Sequence, residues 1–334
     1  MKAAVYYEPG GPEVLRYEEV PDPVAGDDGV LVRVEAISIE GGDTLHRARG
    51  EARSWQVLRG TEATAAGPRI VGYQCAGTVL AVGGKVTGVR AGDRVVTVGA
   101  DGSHAELRAV PERSCWAVPP GLSIDEAACV PVPFATADDA LFEFGRLQPA
   151  ETVLVHAGAG GVGIAAIQLA KRAGARVLAT ASQDEKLARL VKLGLDVGVN
   201  YRQVDFVEEV RRLTGGRGAN VIIDPVGGEN LGRSLECLAY RGRCVTVGEA
   251  GRQPGTLIDV SVLRPRNQSL VGYFLGAELF REDRVHGIID TRLNEVAQRR
   301  LQVVIDRVFP LSQAAAAHAY IESRAAFGRV LLKP

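Results

Sequence analysis

Val153-Leu154-Val155-His156-Ala157-Gly158-Ala159-Gly160-Gly161-Val162-Gly163 decides the fold. A short apolar run, fit for a strand buried on both faces, enters three glycines at G-x-G-x-x-G spacing. Beyond them, Val162, Ala166, Leu169, Ala170 and Ala173 recur at helical intervals. Gly158 suits a tight turn, Gly160 a close approach of backbone to a phosphate, and Gly163 close packing of helix on strand. Gly161 and Val162 open the helix, whose free N–H groups and positive dipole end suit an anion. The spacing alone is weak in a chain with 40 glycines, and a packing turn without a ligand is the competing reading. The strand before and the helix after it favour a dinucleotide.

Working outward, strands are predicted at 176–181, 197–200, 220–224 and 243–247, with helices at 184–193, 205–213 and 229–239 between them. This alternation predicts a parallel sheet, which Leu270-Val271-Gly272-Tyr273-Phe274-Leu275 would complete as a sixth strand. Residues 1 to about 120 read instead as strands and turns, with partial alternation in Val30-Leu31-Val32-Arg33-Val34-Glu35-Ala36-Ile37. Residues 47–69 break that rhythm and read as a long loop or short helix. A helix at 312–323 and a strand at 329–332 have no βα partner left, so the tail is expected to return to the first lobe. The fold class is α/β: a mainly-β domain at 1–122 completed by 299–334, and a doubly wound Rossmann domain at 123–298.

Net charge is −1, and no basic stripe argues for nucleic acid. No stretch reaches the length of a membrane span, and no apolar leader is evident at Met1-Lys2-Ala3-Ala4, so a cytoplasmic protein is expected. The five cysteines are odd in number and lack a C-x-x-C pair, which favours small buried thiols over disulfides or a structural zinc. The 270–275 strand would leave an exposed sheet edge, from which a homodimer is expected.

An Asp or Glu about 20 residues past the glycines usually holds the ribose 2′-OH of NAD. Here that place is Ala181, followed by Ser182-Gln183-Asp184-Glu185-Lys186. A cation in the first helical turn opposes the macrodipole unless an anion offsets it, and a 2′-phosphate would be that anion. NADPH is therefore expected over NADH. Ser182 and Glu185 also form an S-x-x-E capping pattern, a purely structural reading of that serine.

With this fingerprint come Gly72-Tyr73-Gln74-Cys75-Ala76-Gly77-Thr78-Val79, Ala91-Gly92-Asp93-Arg94-Val95, Gly102-Ser103-His104-Ala105-Glu106 and Ile222-Ile223-Asp224-Pro225-Val226-Gly227-Gly228. In that order the chain resembles the medium-chain dehydrogenase/reductase superfamily, in its zinc-free quinone oxidoreductase branch, over essentially its whole length. The resemblance implies a GroES-like catalytic domain beside the Rossmann domain. Where the superfamily's zinc enzymes carry a Cys, the His of a G-H-E motif and a second Cys, this chain has Glu40, Tyr73 and Val132; no metal is expected. The resemblance places Thr136, Gly248 and Phe274 at the nicotinamide, and Ser182, Lys186, Tyr201 and Arg324 at the adenosine phosphate. Tyr201 and Phe274 also read as core aromatics, and Arg324 as a helix C-terminal cation.

The branch's N-x-x-D motif reads Glu40-Gly41-Gly42-Asp43 here. A carboxyl in an apolar cleft has a raised pKa, so Glu40 is a general-acid candidate, with a surface glutamate as the alternative. Tyr73 is the second donor candidate, and Asp43 is expected to orient loops. His46, His104 and His156 have no recognisable ligand or triad partner and are read as structural. The resulting expectation is a zinc-independent NADPH reductase of a quinone or an α,β-unsaturated carbonyl. The alternatives are an enoyl thioester reductase, its phosphates met by Arg47, Arg49, Arg53 and Arg59, and a redox-silent NADPH-binding protein.

Overall fold

The computed structural model describes residues 1–50, 67–253, 255–281 and 283–334, leaving aside the Phe280 side chain. The chain divides into two units, Met1–Val132 with Gly276–Pro334, and Pro133–Leu275.

The first unit opens with β1 (Lys2–Tyr6), β2 (Arg16–Glu19) and β3 (Gly29–Ser38), followed by α1 (Gly41–Arg49). After β4 (Arg69–Ile70) come β5 (Gln74–Val82), β6 (Arg94–Val98), β7 (Leu107–Pro111), β8 (Cys115–Ala117) and α2 (Ile124–Ala128). β3 shows why the stretch is a strand: Val30, Val32, Val34 and Ala36 are buried while Arg33 between them is exposed, the period-2 pattern of a one-sided sheet. β3 pairs antiparallel with β5, and Val30, Val32, Val79 and Val95 form one small core. Residues 47–49, expected in a long loop or a short helix, form the last turn of α1; residues 51–66 lie outside the described residues.

α3 (Pro131–Leu141) leads into the second unit, which alternates β9 (Thr152–Val155), α4 (Gly161–Arg172), β10 (Arg176–Ala181), α5 (Asp184–Val191), β11 (Val197–Asn200), α6 (Phe206–Leu213), β12 (Ala219–Asp224), α7 (Glu229–Glu236), β13 (Leu238–Thr246) and β14 (Ser269–Gly272). All pairings are parallel and the order is β11-β10-β9-β12-β13-β14. This doubly wound order reverses between β9 and β12, where such sheets bind ligands. Val153, Leu154 and Val155 are wholly buried, as a strand covered on both faces requires.

The chain then forms α8 (Leu275–Arg281), α9 (Asp283–Ala297), β15 (Ile305–Pro310), α10 (Ala314–Glu322) and β16 (Arg329–Lys333). β16 pairs with β3, and Leu311, Ala314, Ala317, Val330 and Leu332 join Tyr6, Val34 and Ile37 in one core. Residues 276–298, expected in the second domain, belong to the first unit. Trp116 of β8 stacks on His286 of α9, its indole N–H donating to the His286 carbonyl at 3.2 Å, and Arg113 donates to the Leu279 carbonyl. Among the described residues, no helix is long and apolar enough to cross a membrane.

Candidate active site

The parallel register of the second unit sets the C-terminal ends of its strands along one edge of the sheet. Gly158–Gly163 follow β9, Ser182 follows β10, Tyr201 follows β11, and Gly248 and Phe274 come just after β13 and β14. In the glycine turn the left-handed residue is Ala157, φ 48°, rather than Gly158. Gly158 is needed for space: a Cβ there would stand 2.9 Å from Ala179 Cβ and 3.1 Å from Leu190 Cδ1. At Gly163 it would stand 2.5 Å from the Ala157 carbonyl oxygen, so helix and turn meet without room for a side chain. Gly160 differs, because its nearest neighbour would be the Ala157 oxygen at 3.3 Å. Gly160, Gly161 and Val162 are half-buried at the start of α4, where a helix's first N–H groups lack intrahelical acceptors. This cradle fits a pyrophosphate.

At the second strand, Ala181 pairs with Asn200, and the Tyr201 N–H donates to the Ala181 carbonyl, which brings Tyr201 beside Ser182. No carboxylate occupies position 181. The S-x-x-E capping box does not form: α5 begins at Asp184 with Gln183 as its N-cap, because β10 runs through Ala181 and the chain still has to turn. The Asp184 carboxylate accepts from Asn200 Nδ2 (2.8 Å) and Gln203 Nε2 (2.9 Å), which hold its pKa down. Lys186 is buried in the first turn of α5, while Tyr201 is exposed. Thr136 is buried on α3, Phe274 is half-buried, and the neighbouring Tyr273 donates its hydroxyl to Asp139 at 3.0 Å. Arg324 is exposed in the first unit, just after α10, with φ 59°.

His156, beneath the glycine turn, is buried between Thr180 Oγ1 (3.1 Å) and Ser234 Oγ (3.0 Å), and burial pulls its pKa down to about 4. It is neutral and ties β9 to β10 and α7. Asp224 Oδ1 accepts from the N–H groups of Val226 and Gly227, shaping the turn after β12.

In the first unit, Glu40, Tyr73 and Val132 meet around a polar cluster. Both Glu40 oxygens are engaged by the Arg329 guanidinium, which also donates to Ser38 Oγ and the Ile39 carbonyl. Gln74 donates its amide N–H to Glu40 Oε1 and accepts from the Val132 N–H at 2.9 Å. Burial pushes the Glu40 carboxyl up, opposed by Arg329 and Gln74. The expectation of a carboxyl standing in an apolar cleft is thus corrected: this one is buried in an ion pair. Asp43 Oδ2 accepts from the Glu40 N–H (2.8 Å) and Oδ1 from the Tyr73 N–H (3.2 Å), joining the start of α1 to the start of β5. Burial pushes its pKa up to about 8. The half-buried Tyr73 ring lies over Gly42, where a Cβ would come within 2.4 Å of Tyr73 Cε2. Arg108 holds the Tyr73 carbonyl at 3.1 Å.

His104 is buried against His318, Nε2 to Nε2 at 3.0 Å, and burial lowers its pKa to about 3. Arg47 is wholly buried and paired with Glu322, which removes it from any role as a phosphate receptor; Arg53 and Arg59 lie outside the described residues. Arg329, Gln74 and Ser38 were missed in the sequence. A charge inside the apolar run Arg329-Val330-Leu331-Leu332 was the available signal, since buried arginines require partners.

The family models for "Zinc-binding dehydrogenase" and "Alcohol dehydrogenase GroES-like domain" match residues 161–291 and 26–120. The chain is 32% identical to a 2-haloacrylate reductase of Burkholderia sp, over 99% of this chain and 98% of the relative. Among solved structures it is similar to an Escherichia coli quinone oxidoreductase complexed with NADPH (28% identity, TM-score 0.91, 100% of both chains covered). It is also similar to the CurK enoyl reductase (28% identity, TM-score 0.87, 99% of both chains). The residues here do not fit the zinc named by the first of those models: Val132 offers no donor and Glu40 is committed to Arg329.

Proposed function

The chain belongs to the medium-chain dehydrogenase/reductase superfamily, in its quinone oxidoreductase-like branch, and from that premise we propose a zinc-independent reductase that passes hydride from NADPH to a quinone or an α,β-unsaturated carbonyl. The observation that carries this reading is the end of β10, where Ala181 stands in place of the ribose-binding carboxylate, Tyr201 comes beside Ser182, and Lys186 follows in the first turn of α5. Bound NADPH supplies the hydride. The glycine turn and the start of α4 hold the pyrophosphate, Ser182, Lys186 and Tyr201 the 2′-phosphate, and Thr136, Gly248 and Phe274 orient the nicotinamide. Arg324 remains a further candidate for the phosphate.

Because Glu40, Tyr73 and Val132 do not make a zinc site, the acceptor must carry its own electron sink, which a quinone or enone does. Hydride adds to the β-carbon of an enone, and the Tyr73 hydroxyl donates a proton to the α-carbon or oxygen and regains one from water. A quinone takes the same hydride and proton to become a hydroquinone. We further propose a homodimer paired along the β14 edge.

The test is the initial rate of NADPH consumption with an ortho-quinone, a 2-alkenal or no acceptor, each with and without chelator. Acceptor-dependent turnover that survives the chelator is expected. NADPH binding without turnover of either acceptor would reject the reductase reading and favour the redox-silent binder, and turnover confined to an enoyl thioester would move the substrate to that class.

A further inference from the structure

α3 begins Pro131-Val132-Pro133. The first N–H groups of a helix lack intrahelical partners and need acceptors from elsewhere. Two of these three residues are prolines without an N–H, so the single backbone donor among them is that of Val132. Its acceptor is Gln74 Oε1 on β5, at 2.9 Å. A side chain remote in sequence therefore caps this helix.

A primary amide presents an oxygen and an NH2 group of nearly equal size, so its neighbours decide which one faces the helix. Glu40 Oε1, which faces the Arg329 guanidinium, accepts from the Gln74 NH2, and this turns the amide oxygen toward Val132. Glu40 is in turn fixed by Arg329, whose Nη1 donates to Oε2 at 3.1 Å and Nη2 to Oε1, with Nε on Ser38 Oγ at 3.0 Å. Ser38 and Gln74 are wholly buried, and Glu40 and Arg329 nearly so, so water does not compete for these bonds. Cys129 and Asp43 also face the group, their pKa values pushed up by burial to about 11 and about 8, and neither carries the pairing.

We infer that Arg329, Glu40 and Gln74 form a relay of positioning residues that caps α3 through the Val132 N–H and so fixes the helix carrying Thr136. Thr136 lies four residues beyond Val132, one turn along the same face. The relay rests on the proposed reductase reading only in what Thr136 contacts. Glu40, both of whose oxygens are engaged by Arg329, acts through Gln74 as a positioning residue; it is not the acid of the reaction.

A reciprocal exchange tests it. Glu40→Gln leaves Arg329 without its anion, and Gln74→Glu sets two carboxylates against each other. In the double variant, the carboxylate at 74 accepts from the Val132 N–H and from the amide at 40, whose oxygen accepts from Arg329. Each single variant is expected to lower the melting midpoint of the unliganded protein and to reduce kcat at least tenfold, with the NADPH Kd changed less than threefold. The double variant is expected to recover both midpoint and kcat to within threefold of the wild-type rate. Failure of a single variant to fold, with folding restored in the double, is the same result.

Gln74→Met removes the cap while leaving the Glu40–Arg329 pair in place. It is expected to fold, to lose kcat, and to change the deuterium isotope effect measured with NADPH labelled at C4, which a general loss of stability would leave alone. A double variant no better than the worse single, or Gln74→Met with wild-type kcat and isotope effect, overturns the relay. If the wild type reduces no acceptor, the reductase reading fails by itself, and the melting cycle still decides the relay.

Discussion

Gly160 and Gly163 look alike in the sequence and are held for different reasons. A Cβ at Gly163 collides with the Ala157 carbonyl at 2.5 Å, whereas one at Gly160 would stand 3.3 Å from the same oxygen, a close contact relieved by a shift of a few tenths of an ångström. Gly160→Ala is therefore expected to melt within about 1 °C of wild type, a stability change of a few tenths of a kcal/mol, while weakening NADPH at least tenfold. Gly163→Ala should cost roughly 1–3 kcal/mol of stability, in the range of overpacking. Equal melting losses in calorimetry would refute this division of labour. The spacing put Gly158 and Gly160 between β9 and α4 and Gly163 in the first turn of the helix, where the structure has them. That Ala157 takes the left-handed conformation, φ 48°, was not readable, because a non-glycine residue enters that region only where surrounding packing holds it.

Among the elements, the loop from β10 to α5 is where the proposed preference for NADPH is put to the test. Lys186→Gln removes the cation buried in the first turn of α5 and is expected to raise the KM for NADPH roughly tenfold or more, as loss of a charge-assisted bond would. The KM for NADH should move less than twofold. Parallel rises for both cofactors would show that Lys186 only supports the loop. Local pattern placed β10 and α5 nearly to the residue but credited Ser182 with a cap that Gln183 occupies, since a capping motif describes a helix start without saying where the preceding strand lets go. α9 falls within the 123–298 expected of the second domain, and what ties it to the first unit is a contact remote in sequence, Trp116 of β8 stacked on His286.

For the whole molecule, the exposed edge is the feature with the largest consequence. Among the described residues β14 pairs only with β13, and the segment leading into it exposes Leu257, Val260 and Val262. Unpaired edges and contiguous apolar surface favour association by two-fold symmetry. Light scattering is expected to give twice the 35.4 kDa chain mass, and Val260→Lys with Val262→Lys to return it to the monomer. A wild-type monomer at micromolar concentration would rule the dimer out. By itself the sequence determined the alternation of strands and helices, the parallel sheet, the glycine cradle and the missing carboxylate at 181. Each of these follows from local periodicity or from a spacing of a few residues. Only the tertiary structure decided that Glu40 is an ion-pair partner rather than a solitary acid. Its partner Arg329 lies at the far end of the chain, and β16 must first pair with β3 before the two charges meet. A carboxyl's role follows from its surroundings, and those are set by contacts that no local pattern records.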